Sequence, residues 1–166
     1  MADFNDLLLE MIRYYSGDAA RIQHFIKVHA FAKLIGESEQ VDRRTMEILE
    51  AASVVHDIGI KAAEEKYGSS NGKLQEQEGP SIAEEMLRRL GFDEELTERV
   101  CYLVGHHHTY TDIDGMDYQI LVEADFLVNL YEDQPGRNAA ISALEKIFQT
   151  ESGKLICREM FALDAD

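Results

Sequence analysis

The sequence predicts an all-α fold, a single-domain helical bundle spanning residues 1–166. Three observations predict it. Glycine and the two prolines fall between periodic segments and not inside them. Alternating apolar–polar runs, the mark of half-buried strands, are scarce. Apolar residues instead recur every three to four positions, in nine segments joined by short loops.

The first helix is expected over residues 4–15, and Ser16-Gly17-Asp18 breaks it, with Asp18 placed to cap its successor. The second runs to residue 35 and stops near Gly36. Its apolar residues, from Ile22 and Phe25 to Leu34 and Ile35, wrap most of its circumference, as in a central helix. The third starts near Asp42 and runs into His56-Asp57, where Gly59 suggests its end. A short helix follows over 61–67. Gly68-Ser-Ser-Asn-Gly72 has loop composition, and residues 68–79 are expected to be a mobile lid. Pro80 suits the first turn of a helix that reaches Leu90 and ends at Gly91. Asp93 caps the next helix, through Val104. A polar loop over 109–115 leads into a strongly apolar helix over 117–131. Two C-terminal helices, over 137–150 and 153–162, complete the domain.

Lys+Arg is 16 and Asp+Glu is 32, a net charge of −16, which excludes duplex nucleic acid and anionic membrane as partners because both demand basic patches. A hydrophobic content of 45% is too high for a disordered acidic tail. No apolar run approaches the roughly 18–20 residues of a membrane span, and the first fifteen residues lack the basic-then-apolar order of a secretory signal. Cys101 and Cys157 form neither a disulfide framework nor a thiolate zinc site. A cytoplasmic location is therefore expected.

Two motifs fail on inspection. Gly68–Lys73 has one residue too few between its glycines for a phosphate-binding loop, and Leu74 where Ser or Thr belongs. Asp112-Ile-Asp114-Gly115 lacks the remaining ligands of a calcium loop.

The residues that break the apolar pattern carry the chemistry. Asp125 lies on the stripe Leu121, Asp125, Val128, where an ionised carboxylate costs several kcal/mol unless paired or metal-bound. His56 continues the stripe Leu49, Ala52, and Asp57 follows it; His24 heads the stripe Val28, Phe31, Ile35. Three inward-facing helices thus deliver metal-capable groups to one interior, which is how metal sites in bundle cores are built. His29 points to another face and reads as structural.

These fragments carry a resemblance. Arg21-Ile-Gln-His24-Phe-Ile-Lys-Val28, Ala51-Ala52-Ser-Val-Val-His56-Asp57-Ile-Gly59 and Val122-Glu-Ala124-Asp125 together resemble the HD superfamily of metal-dependent phosphohydrolases, over about residues 18–131. The resemblance implies a bundle of the HD-domain type with a metal site in its core, and His24, His56, Asp57 and Asp125 as ligands of one divalent ion. Nitrogen and oxygen donors without thiolate suit Fe, Mn, Co, Ni or Mg. Many relatives add two histidines between the doublet and the last aspartate. His106 and His107 occupy the later position, with His108 read as a surface residue, and Glu78 stands at the earlier one. One ion is the expectation; the residues leave open a second, held by Glu78, His106 and His107 with Asp57 bridging.

The implied activity is hydrolysis of a phosphate ester, mono- or diester, of a nucleotide or another small metabolite by a metal-activated water. Asp57, Glu64 or Glu65 would accept the water's proton, while Arg21 and Lys61 would contact phosphate; Lys61 stands one residue later than the lysine of the family's common form. Tyr110, Tyr118, Lys73 and Asn129 are candidate pocket residues. The same ligand pattern also serves di-iron oxygenases, and an incomplete site would serve a regulatory module that binds metal or nucleotide; the residues leave both open. The expected partner is a small phosphorylated substrate, with no nucleic-acid polymer, no membrane, and self-association left open.

Overall fold

The computed structural model describes residues 2–164. Its regular structure is helical throughout: α1 (Phe4–Tyr14), α2 (Ala19–Ser38), α3 (Arg43–Val55), α4 (Ile60–Tyr67), α5 (Gly72–Arg89), α6 (Glu94–Val104), α7 (Met116–Asp133), α8 (Arg137–Lys146) and α9 (Glu151–Phe161). Side-chain caps start most of them. Asp3, Asp18, Asp42, Asn71, Asp93 and Thr150 each accept from a backbone N–H of the helix they precede. No described helix is long and apolar enough to cross a membrane.

Helices α2, α3 and α7 pack on one another and form the centre. Helix α7 is buried along most of its length, and α3 buries the whole run Ala51–Val55. Helices α5 and α6 pack as a pair, with α6 against α3, while α1 covers α3 and the α8–α9 pair closes α7. Helix α9 is fastened by two carboxylates. Glu39 accepts from the Ser152 N–H, and the buried Glu123 accepts from the Gln149 and Thr150 amides at 3.0 and 3.1 Å.

Three boundaries differ from the sequence expectation, each for a local reason. Gly36 does not end α2: it lies inside, where Met46 packs so closely that a Cβ would stand 2.6 Å from its methyl carbon. Helix α5 begins at Gly72, not at Pro80, because Asn71 caps it by accepting from Leu74 N at 3.0 Å. The expected lid over 68–79 is therefore mostly the first two turns of a helix, and Pro80 sits inside it. Helix α8 ends at Lys146, short of residue 150, since Phe148 N turns back to the Ala143 carbonyl and Thr150 caps α9.

Two glycines set how α5 approaches the centre. A Cβ on Gly59 would lie 2.6 Å from the Gln75 carbonyl oxygen and 2.7 Å from Gly79 N, backbone atoms that cannot step aside. The Gly59→Ala substitution is expected to destabilise the fold by about 1–3 kcal/mol through overpacking. Urea unfolding of the metal-free protein measures this.

Candidate metal centre

Four elements bring the donors together. His24 comes from the second turn of α2, and His56-Asp57 from the end of α3. His107 stands on the turn after α6, and Asp125 in the middle of α7. His24 Nε2 lies 3.0 Å from Asp57 Oδ2 and 3.2 Å from Asp125 Oδ1. His56 Nε2 lies 3.3 Å from each of the same two oxygens. The two Nε2 atoms are 3.2 Å apart, and His107 Nε2 approaches the other Asp57 oxygen, Oδ1, at 3.4 Å.

Each ring is oriented by its outer nitrogen. Nδ1 of His56 donates to the Ser53 carbonyl at 2.7 Å, and Nδ1 of His107 to the Val104 carbonyl at 2.8 Å. Nδ1 of His24 donates to Glu132 Oε1 at 2.7 Å. Every Nε2 therefore faces the centre, the tautomer that metal ligation requires. Helix α1 fixes the doublet from behind: the Tyr15 hydroxyl donates to the Asp57 carbonyl at 2.7 Å, and that of Tyr14 to the Ile58 carbonyl.

Burial alone would push the His24 imidazole down, but its hydrogen bonds to Asp125 and Asp57 override it and lift the group to about 11. His56 is depressed by burial in the same way and lifted to about 10 by the charges of Asp57 and Asp125. Burial in turn works to raise both carboxylates, yet the His56 charge and the imidazole N–H bonds hold them well below the ordinary range.

This pairing is incomplete. His107 Nε2 is buried without a hydrogen-bond partner, and Asp125 Oδ1 is buried with only its ion-pair contacts to His24 and His56 and no well-aimed hydrogen bond. Buried polar atoms rarely stand unsatisfied. Here a nitrogen lone pair and a carboxylate oxygen are left over in a pocket of convergent donors, the deficit that a cation removes. Two donor triads exist, His24–His56–Asp57 and Asp57–His107–His108, sharing Asp57. His24, Asp57 and Asp125 line a cleft of about 430 Å³ whose walls include Arg21, Gln75, His108, Asn129 and Glu132, while His56 and His107 are fully buried.

Two of the anticipated ligands stand elsewhere. Glu78 pairs with Lys66 and reaches the Tyr67 hydroxyl, because Gly79 is the residue that packs inward against Gly59 and the adjacent Glu78 is turned about 100° from it. His106 stacks on Tyr102 with centroids 4.0 Å apart and donates from Nδ1 to its carbonyl. The α5 face that meets the centre carries Gln75 and Glu76. Gln75 Oε1 accepts from His108 Nε2 at 2.7 Å, and Glu76 accepts from His108 N and the Thr109 hydroxyl.

The anticipated phosphate contacts also divide. Arg21 lines the cleft, its guanidinium held by Glu64 and Asp18. Lys61 lies outside, its Nζ 5.1 Å from the centroid of the Tyr14 ring, so the one-residue shift in the sequence has turned it away. Glu64 is engaged with Arg21 and Glu65 is exposed, which leaves Asp57 as the carboxylate at the centre. Tyr118 is buried with its hydroxyl on the His106 carbonyl, Lys73 is exposed, and His29 bonds Glu50 against the Phe4 ring. Sequence reasoning missed Gln75, Glu76 and Glu132 and set His108 on the surface. For Glu132 a signal existed, since it follows Asp125 by two helical turns on the same face.

The HD domain family model matches residues 21–149. The chain belongs to the HD domain family. A crystal structure of a predicted HD superfamily hydrolase from an uncultured Thermotogales bacterium aligns with TM-score 0.65 and 23% identity, over 97% of this chain and 84% of that one. No curated protein matches the sequence. HD domains bind divalent metals, and the His and Asp groups of this HD domain are ones that could hold such an ion.

Two outcomes test this centre. Because carboxylates hold the His24 and His56 imidazoles protonated near neutral pH, loading Mn²⁺ into the chelator-stripped protein should release protons, and affinity should fall as pH falls. Calorimetric titration in two buffers of different ionisation enthalpy reads the proton count. The Glu78→Ala and His106→Ala variants should retain the parent metal stoichiometry, whereas Asp125→Ala should lose bound metal, by elemental analysis of the purified proteins.

Proposed function

We propose that this HD domain is a metal-dependent phosphohydrolase acting on a nucleotide or another small phosphate ester. The observation that carries the reading is the convergence of His24, His56, Asp57 and Asp125 at a cleft that three of them line, with two buried ligand atoms short of hydrogen bonds and an arginine on the wall. When bound, a divalent ion supplies Lewis-acid polarisation of a phosphoryl oxygen and a nucleophilic water at neutral pH.

The chain's own residues do the rest. His24, His56, Asp57 and Asp125 hold the ion, and a second ion would take Asp57, His107 and His108. Asp57 presents one oxygen towards His24 and the other towards His107, where it can accept a proton from an attacking water. Arg21 offers guanidinium N–H groups at the cleft wall, where an incoming phosphate would compete with Glu64 for them. Asn129, one turn beyond Asp125, lines the same cleft.

The acidic surface disfavours nucleic-acid polymers and membranes as partners, while a small phosphorylated substrate meets its counter-charge inside the cleft, from the bound ion.

The test is a panel of mononucleotides, dinucleotides and sugar phosphates, assayed with Mn²⁺, Fe²⁺ and Mg²⁺ with and without oxygen. Anaerobic hydrolysis of at least one phosphate ester is expected; strictly oxygen-dependent turnover with iron would refute the reading. On the substrate so found, Asp57→Asn should lose about 10²–10⁴-fold in kcat. The Lys61→Ala variant should keep kcat/KM near that of the parent, because Lys61 does not line the cleft.

A further inference from the structure

His24 is held differently from the other two inward rings. His56 and His107 are fixed by carbonyls three residues back in their own helical turns, contacts that form whenever the backbone does. His24 Nδ1 meets instead a carboxylate from another helix, Glu132 Oε1 on α7, at 2.7 Å. The second oxygen of that carboxylate, Oε2, takes Lys27 Nζ at 2.7 Å, and the Lys27 ammonium lies 5.2 Å from the centroid of the Tyr131 ring. A continuous chain Lys27–Glu132–His24 thus runs from the cleft rim to the centre.

We propose that Glu132 is a positioning residue of the metal centre: it takes the Nδ1 proton of His24, fixes that ring as an Nε2 ligand, and raises its affinity for a divalent cation. This rests on the metal-centre reading above. A neutral imidazole carries one ring proton. An acceptor at Nδ1 keeps the proton there and leaves the lone pair on Nε2. A carboxylate is a stronger acceptor than a backbone carbonyl, so His24 becomes a more basic ligand than a carbonyl-bound ring would be. Lys27 acts through Glu132 by holding its second oxygen. The geometry also joins α2 to α7 two turns after Asp125, so His24 meets α7 through both of its ring nitrogens.

The experiment uses the full chain, stripped with chelator and free of substrate. Mn²⁺ affinity is measured by calorimetry, and the Co²⁺ complex by visible absorption. Glu132→Ala should weaken Mn²⁺ binding about 10–100-fold and alter the Co²⁺ absorption. Glu132→Gln keeps an acceptor without the charge and should fall between Ala and the parent. Lys27→Met should add no further loss in the Glu132→Ala background. The melting temperature of the metal-free protein should not follow this order. Parent-like Mn²⁺ affinity and Co²⁺ absorption in Glu132→Ala would overturn the assignment. So would affinity losses that track losses in metal-free melting temperature, since the contact would then be merely structural. A parent protein that binds neither ion would overturn the metal centre itself, a failure distinct from these.

Discussion

Asp57 and Asp125 contact the same two imidazoles at the centre of a helical core, and their charge sets the terms for the helices around them. An ionised carboxylate removed from water costs several kcal/mol unless its partners are close and well aimed. The fold answers by crossing α2, α3 and α7 so that His24 and His56 meet both aspartates. Helix α1 then pins the doublet from outside through Tyr14 and Tyr15. The close approach at Gly59 lets α5 cover the remaining side. Without a cation the arrangement is still short of satisfied, as the two orphaned ligand atoms show.

Helix α7 makes the point by contrast, because three of its acidic residues meet three different fates. Glu123 is fully buried and accepts from two backbone amides, the Thr150 hydroxyl and the Gln119 amide. Hydrogen-bond donors alone settle it, and its work is to hold α9. Glu132 stands at the cleft rim between Lys27 and His24. Asp125, between them in sequence, has the His24 and His56 imidazoles against Oδ1 at 3.2 and 3.3 Å but no well-aimed hydrogen bond there. A buried carboxylate that the protein satisfies completely is architecture. One that it surrounds with metal-capable groups and leaves short of hydrogen bonds is a site for something else.

The difference between what the sequence showed and what it hid follows the same physics. Asp125, His56 and His24 were legible because each interrupts an apolar stripe, and helical periodicity then places them inward whatever the exact boundaries. The all-helical fold was legible for the same reason. The α5 register was not. Pro80 is a strong start signal, but the Asn71 side chain makes the cap. Starting α5 eight residues too late hid the Gly59–Gly79 contact, and with it the fact that Gln75 and Glu76, not Glu78, share the inward face. The His106–His108 run was ambiguous because it lies on a turn, where no periodicity says which ring points in. Tertiary contacts decide it: Tyr102 takes His106 outward, while Gln75 and Glu76 draw in His108 and the backbone beside it.

Asp57 belongs to both donor triads, but the triads are unequal. In the first, His24 and His56 have their outer nitrogens engaged and their Nε2 atoms aimed at the aspartate oxygens. In the second, His107 meets that standard, but His108 does not. Its Nε2 is spent on the Gln75 side chain, which is itself tethered by its amide to the Ser70 carbonyl. Burial and the neighbouring His107 push the His108 imidazole down to about 4, so the ring is neutral and its one proton sits on the nitrogen facing Gln75. Only Nδ1 remains as a donor, beside the Tyr110 hydroxyl at 3.5 Å. The first triad, completed by Asp125, is therefore the stronger cation site. Helix α5, through Gln75, is the element that sets how His108 is presented to the second triad.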